Sequence, residues 1–150
     1  MVAESIRGIA ALFIGDDRAE LLRDLKDAFP EAEFVIDQAG LTQTIAKTIA
    51  LVDAPNLKTD LRLDLRGSPV EVAVWEALRA IPAGETRTYG AIAQSLPIRA
   101  TAQDVGAACA ANRIAVAIPC HRVVKSDGSI SGYRWGVQRK RRLINTEGVA

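Results

Sequence analysis

Two cysteines and a single histidine are all the thiol and imidazole this 150-residue chain carries, and the scarcity excludes several classes of function. Cys109 and Cys120 make a poor disulfide framework, which points to a reducing, cytoplasmic setting. Two thiols and one imidazole also fall short of the four protein ligands a structural zinc site usually takes, so no metal is expected. No apolar run approaches the roughly 18 residues that span a bilayer, and no basic region leads into an apolar core at the N-terminus. Neither a membrane anchor nor a signal peptide is expected.

What the chain does have is enough apolar material, 49% of its residues, to bury a core in one domain or two small lobes. The net charge of +1 conceals an asymmetry: residues 1–66 carry 8 Lys/Arg against 12 Asp/Glu, whereas residues 67–150 carry 11 against 6. An acidic half joined to a basic half suggests that the C-terminal part meets a polyanion such as nucleic acid, although an ordinary solvated surface has the same composition.

The pattern along residues 1–66 alternates strands and helices. Val2–Ser5 and Ile9–Ile14 flank a turn at Ile6-Arg7-Gly8 and read as a hairpin. Asp17–Phe29 carries Leu21, Leu22, Leu25, Ala28 and Phe29 at helical spacing, with Pro30 ending it. Glu33–Ile36 reads as a short strand, Leu41–Val52 as a second helix, and the alternation of Leu61, Leu63 and Leu65 with charged residues as a half-buried strand. Residues 67–150 read as mostly helical. Ser68 and Pro69 make a helix start, as N-cap and first helical residue, before Val72, Trp75, Leu78 and Ile81. Thr88–Leu96 and Thr101–Ala111 are two short helices about the turn Pro97–Ala100, a helix-turn-helix candidate. The second has almost no bulk (Ala102, Gly106, Ala107, Ala108, Ala110, Ala111). Such a helix suits either tight packing on a neighbour or entry into a narrow groove. Arg139-Lys140-Arg141-Arg142 reads as the solvated face of a C-terminal helix.

Chemistry concentrates at Cys120 and His121, adjacent in the run Ile118-Pro119-Cys120-His121-Arg122-Val123-Val124. A thiol needs a base, a cation or a metal to become a strong nucleophile, and histidine tunes best near neutral pH. Cys109, on the slim helix, reads as a packing residue.

The run Pro119-Cys120-His121-Arg122-Val123 resembles the active-site motif of the O6-alkylguanine-DNA alkyltransferases, the methylated-DNA–protein-cysteine methyltransferase family, and in particular the C-terminal domain of its bacterial Ada members. The likeness continues through Gly132-Tyr133-Arg134-Trp135-Gly136, Lys140 and Glu147-Gly148. Upstream it includes Val74-Trp75, Gly84-Glu85-Thr86, Tyr89, Gly106 and Asn112. It covers essentially the whole chain, while the zinc-binding and regulatory domains of Ada lie outside it. The resemblance implies an α/β (α+β) fold: a small ribonuclease H-like sheet-and-helix support lobe, residues 1–66, then a mostly helical lobe, residues 67–150, with a winged-helix-like helix-turn-helix. It implies a monomeric, cytoplasmic bacterial protein, at the nucleoid when acting on DNA. Such a protein binds duplex DNA from the minor groove, flips O6-alkylguanine out of the stack and takes the alkyl group irreversibly on its own cysteine, with no cofactor.

By position the acceptor is Cys120. The resemblance implies that His121 takes the thiol proton through a bridging water, that Glu147 holds the imidazole, and that Asn112 braces the turn. Tyr89, Gln103, Gly106, Arg122, Tyr133 and Arg134 fall among the positions that meet DNA or the flipped base. Elementary chemistry agrees: displacement at an alkyl carbon needs a soft nucleophile, a base to ionise it, and a lesion outside the stack.

One departure stands out. Gln103 occupies the place where the family carries an arginine that fills the gap left by the flipped base, and Asp104 follows where a small residue is usual. Glutamine can hydrogen-bond an orphaned cytosine but brings no cation to a negative groove. Thr101 to Asp104 also reads as a capping box. Weaker DNA binding with surviving methyl transfer is the expectation. The alternatives are a non-catalytic alkylated-base binder, part of an Ada-type regulator, a helix-turn-helix regulator without chemistry, or a cysteine hydrolase. The last two leave the Cys-His pair unexplained or lack a base distant in sequence.

Overall fold

The computed structural model describes residues 1–148. It is a mixed α/β fold with two two-stranded sheets and six helices among those residues. Strands β1 (Val2–Ser5) and β2 (Gly8–Leu12) form the expected antiparallel hairpin, with an irregularity between Ala3 and Glu4. The other edge of β2 is shared. Ile9 bridges Leu63, and Leu12 bridges Ile114 from the second half of the chain. Backbone bonds fix both junctions: Ile9 N donates to Arg62 O at 2.8 Å and Leu12 N to Arg113 O at 2.9 Å. The alternation at residues 61–65 thus yields a single bridge in place of a full strand.

One further expectation about this half is not met. Helix α1 (Arg18–Ala28) starts where Asp17 accepts hydrogen bonds from Ala19 N and Glu20 N, and α2 (Thr42–Asp53) follows as expected. Residues 33–36, however, form no strand, and Val35 and Ile36 are exposed. A short apolar run becomes a strand only where a ladder accepts its backbone groups, and residues 33–36 pair with none.

The second half positions the site. Helix α3 (Pro69–Arg79) begins with Ser68 accepting from Glu71 N and Pro69 in the first turn, where its missing N–H costs nothing. Its buried face of Val74, Trp75 and Leu78 packs against α5 (Ala102–Ala111). The indole N–H of Trp75 donates to Ala108 O at 2.8 Å, satisfying a carbonyl near the helix end that lacks an intrahelical partner. That close approach explains the small residues on one face of α5, where Val105 and Ala108 are buried. The other face is open: a Cβ on Gly106 would meet nothing within 4 Å.

Strand β3 (Arg87–Thr88) pairs in parallel with β4 (Val123–Val124). Two residues per strand suffice to tie the start of α4 (Tyr89–Ser95) to the turn carrying Cys120, a single 3₁₀ turn over Cys120–Arg122. Helix α6 (Val137–Thr146) closes the fold against that turn. Lys140 corrects the reading of the basic run: it is fully buried, 0% exposed, beside Leu143 and Ile144, while Arg141 and Arg142 face solvent. Among the described residues no helix is long and apolar enough to cross a membrane.

Candidate active site around Cys120

The turn from Asn112 to Cys120 is held by one side chain. Asn112, fully buried, accepts from Ile114 N at 2.8 Å and donates from Nδ2 to Ile118 O at 3.1 Å and to Cys120 Sγ at 3.3 Å. Between those anchors Val116 sits at φ +66°, a left-handed conformation that a β-branched residue rarely adopts. A strained backbone persists when its surroundings over-determine it, at a cost of about 1–3 kcal/mol. Asn112 supplies much of that determination.

Cys120 lies at the floor of a cavity of about 440 Å³, an ordinary size for a small-molecule site. Tyr89 from α4, Gly106, Cys109 and Ala110 from α5, and Gly132 to Arg134 complete the walls. Burial pushes the Cys120 thiol up from its ordinary value, while the Asn112 donor and the charges of Lys140 and Arg134 favour the thiolate. Cys109 is pushed up to about 12, chiefly by burial and then by the neighbouring Cys120, with only Lys140 opposing. Of the two thiols, Cys120 is the one with a hydrogen-bond donor aimed at its sulfur.

Beside it, the imidazole of His121 is fully buried and shares a 2.7 Å hydrogen bond with Glu147 through Nε2. Burial lowers the affinity of this imidazole for a second proton, against the pull of Glu147. Glu147 is itself penalised by burial, yet its bonds to His121 and Arg122 hold the carboxyl well below its usual range. An ionised Glu147 accepts, so Nε2 carries the ring proton and Nδ1 presents its lone pair. Among the described residues Nδ1 has no hydrogen-bond partner, so thiol and imidazole are not bonded directly.

Arg122 occupies a place different from that expected. It is buried, not at a DNA-facing surface, and donates from Nε to Glu147 Oε2 at 3.0 Å, from Nη2 to Oε1 at 2.8 Å and from Nη1 to Ile81 O at 2.6 Å. Its guanidinium fork matches a carboxylate, which is where it is spent.

Tyr89 reaches the cavity with its hydroxyl hydrogen-bonded to Ser131 Oγ. Ser131 in turn receives a 2.9 Å bond from Lys140 Nζ, which also donates to Val123 O at 2.7 Å. A buried ammonium, a hydroxyl and a phenol thus form one chain ending at the cavity wall. Neither Lys140 nor Ser131 was expected there. The signal for Lys140 was its spacing, three and four residues before the buried Leu143 and Ile144. Tyr133 lines the cavity edge-on to Trp135 at 5.4 Å, its hydroxyl buried without a partner. Arg134 donates to Asn112 O at 2.8 Å and lies over Phe13 and Trp135. Gln103 and Asp104 are exposed at the start of α5. The capping box is present there: Thr101 Oγ1 accepts from Asp104 N, and the Asp104 carboxylate accepts from Thr101 N at 2.7 Å.

Comparison with known proteins gives a consistent result. Residues 69–149 match the family model for the 6-O-methylguanine DNA methyltransferase, DNA binding domain. The bifunctional transcriptional activator/DNA repair enzyme Ada of Escherichia coli is 44% identical over 147 residues, 98% of this chain and 42% of that protein. The chain therefore spans about two fifths of the length of that relative. A crystal structure of Mycobacterium tuberculosis O6-methylguanine methyltransferase superposes with a TM-score of 0.75 at 31% identity, covering 97% of this chain and 90% of the other. The M. tuberculosis protein in complex with DNA matches at 35% identity and a TM-score of 0.66, over 76% of this chain and 74% of that one. The chain belongs to the 6-O-methylguanine DNA methyltransferase family.

Proposed function

We propose that the chain is a DNA repair methyltransferase that takes the methyl group of O6-methylguanine from duplex DNA onto Cys120, once per molecule. Helices α4 and α5 approach the minor groove, and the damaged nucleotide leaves the stack for the cavity above Cys120. Flipping costs a few kcal/mol and is needed because the reacting carbon is out of reach inside the duplex. The M. tuberculosis relative in complex with DNA supports the choice of partner. Residues 1–66 act as a support lobe for residues 67–150, and one chain suffices.

The Cys120 thiol passes its proton through a bridging water to Nδ1 of His121, and Glu147 stabilises the imidazolium. The thiolate attacks the methyl carbon. The S–C bond forms as the C–O6 bond breaks, and the electron pair of that bond passes to guanine, which must take up a proton. The Tyr89–Ser131–Lys140 chain lies at the cavity wall where that proton is needed. The product is a thioether that no hydrolytic step readily reverses. No metal or cofactor enters. Asn112 fixes the turn, Tyr133 and Arg134 border the flipped base, Gly106 leaves room for it, and Gln103 meets the orphaned cytosine. Arg122 acts from behind Glu147 and touches no DNA.

The observation that carries this reading is the Asn112 donor 3.3 Å from a cavity-floor thiol whose neighbour is a neutral, carboxylate-anchored imidazole. Incubation with an O6-methylguanine duplex should add one methyl mass to the Cys120 peptide. Retained binding without that mass would instead identify a non-catalytic lesion binder.

A further inference from the structure

The ion-pair cluster behind Cys120 holds one more charge than the relay uses. Glu147 Oε1 accepts from His121 Nε2 at 2.7 Å and from Arg122 Nη2 at 2.8 Å, and Oε2 accepts from Arg122 Nε at 3.0 Å. The three side chains are 0%, 2% and 11% exposed for His121, Glu147 and Arg122. Arg122 is pinned from the far side by the Ile81 carbonyl, in the turn after α3, at 2.6 Å. A buried carboxylate with only an imidazole beside it would draw a second proton onto the ring, making a His⁺–Glu⁻ pair that could no longer accept from a thiol. Here the carboxylate is already neutralised by a cation that cannot be deprotonated.

We propose that Arg122 is a positioning residue that acts through Glu147: the fixed positive charge it holds against that carboxylate keeps His121 neutral and its Nδ1 free to receive the Cys120 proton. The guanidinium and the imidazole share one acceptor oxygen, so the positive charge lies within a few ångströms of the ring. The other charged groups facing His121 are Glu147, which favours the imidazolium, and Lys140 from α6, which opposes it. Arg122 and Lys140 thus act on the ring in the same sense, but only Arg122 also occupies the oxygens that would otherwise serve the imidazole alone. The catalytic significance of this effect rests on the methyl-transfer reading above, whereas the charge state of the ring does not.

His121 is the sole histidine, so its ring protons give one unambiguous NMR titration, to be followed in wild type, Arg122→Gln and Arg122→Lys. The wild-type midpoint should lie below the ordinary value of 6.5. Arg122→Gln should raise it by roughly one unit or more, because a full charge a few ångströms away is lost from a poorly screened site. Arg122→Lys keeps the charge and should stay within about half a unit of wild type, though a single ammonium cannot span the carboxylate. An unmoved or lowered midpoint in Arg122→Gln overturns the proposal, as does an equal shift in both variants. Should the glutamine variant not fold, a large shift in the lysine variant overturns it alone. The acid limb of single-turnover methyl transfer, measured on the same samples, should move with the midpoint. Transfer in wild type with no NMR shift in the variants would sink the role of Arg122 and leave the reaction standing. The shift without transfer in wild type would do the reverse.

Discussion

Truncating Asn112 tests how the site is held together. Asn112→Ala removes three hydrogen bonds at once, to Ile114 N, Ile118 O and Cys120 Sγ. The losses differ in kind. Ile118 O keeps a second donor, Cys120 N at 2.8 Å, whereas the N–H of Ile114 has the Asn112 oxygen as its partner. A buried donor left unpaired costs about 1–3 kcal/mol, and the bond lost at Ile118 adds about 1 kcal/mol. The space vacated by the amide, in a site with no exposure, adds a cavity term. A total of about 3–4 kcal/mol follows, a large part of the roughly 5–15 kcal/mol that holds a domain of this size together. Thermal unfolding should fall by about 6–16 °C at the 2–4 °C per kcal/mol expected for this length. Asn112→Asp separates structure from chemistry. A carboxylate still accepts from Ile114 N but cannot donate to sulfur, and its charge disfavours the thiolate. That variant should transfer methyl at least about tenfold more slowly, the equivalent of a 1.4 kcal/mol barrier increase. Calorimetry and single-turnover transfer on the same preparations supply both numbers. A melting point within about 2 °C of wild type for Asn112→Ala would refute the bracing argument. Wild-type transfer by Asn112→Asp would refute the role of the donor.

Gln103→Arg adds a cation at the exposed start of α5; if that end meets the groove as proposed, duplex affinity should rise several-fold and become steeper in salt, as each added phosphate contact releases about one counterion. Equal affinity and equal transfer rate would show that Gln103 is no handicap. Gly67→Ala would bring a Cβ to 2.6 Å from the buried Trp75 ring and 3.1 Å from Glu71 Cβ, so urea unfolding should show a loss of about 1–3 kcal/mol from overpacking. Stability should also fall on acidification. The folded-state pKa values of His121 and Glu147 both lie below their ordinary 6.5 and 4.5, so each stabilises above its unfolded value and loses that contribution as pH falls through it. Urea midpoints should decline gently between pH 6.5 and 4.5 and more steeply below; a midpoint constant from pH 7 to 4 would contradict the buried neutral imidazole and the ionised carboxyl.

Local signals in the sequence proved reliable where the chemistry is local. The N-cap Ser68, Pro69 in a first turn, and the Thr101–Asp104 capping box depend on neighbours within three residues, and all are present. What was hidden depends on distant partners. Residues 33–36 have strand composition but pair with no ladder. Lys140 belongs by composition to a solvated basic run, yet its spacing to Leu143 and Ile144 places it inside, where Val123 O and Ser131 receive its protons. Arg122 sits in the motif that carries Cys120, and nothing in that string reveals that the Ile81 carbonyl and Glu147 engage all three of its side-chain nitrogens. The strained Val116 is likewise invisible, because the strain belongs to the turn and not to the residue. Within the site, Cys120, His121, Glu147 and Asn112 were legible through the family motif, and the structure brings them together. The Ser131–Lys140 link to Tyr89 became visible only once α6 was folded against the β3–β4 pair.

The central claim is a one-use transfer to Cys120, and stoichiometry tests it most directly. An excess of duplex carrying a radiolabelled O6-methylguanine should label the protein to one methyl per chain and then stop, with all label on the Cys120 peptide. The Cys109→Ser variant should reach the same plateau, and Cys120→Ser should take up no label. Label on Cys109, or turnover beyond one equivalent, would contradict the account.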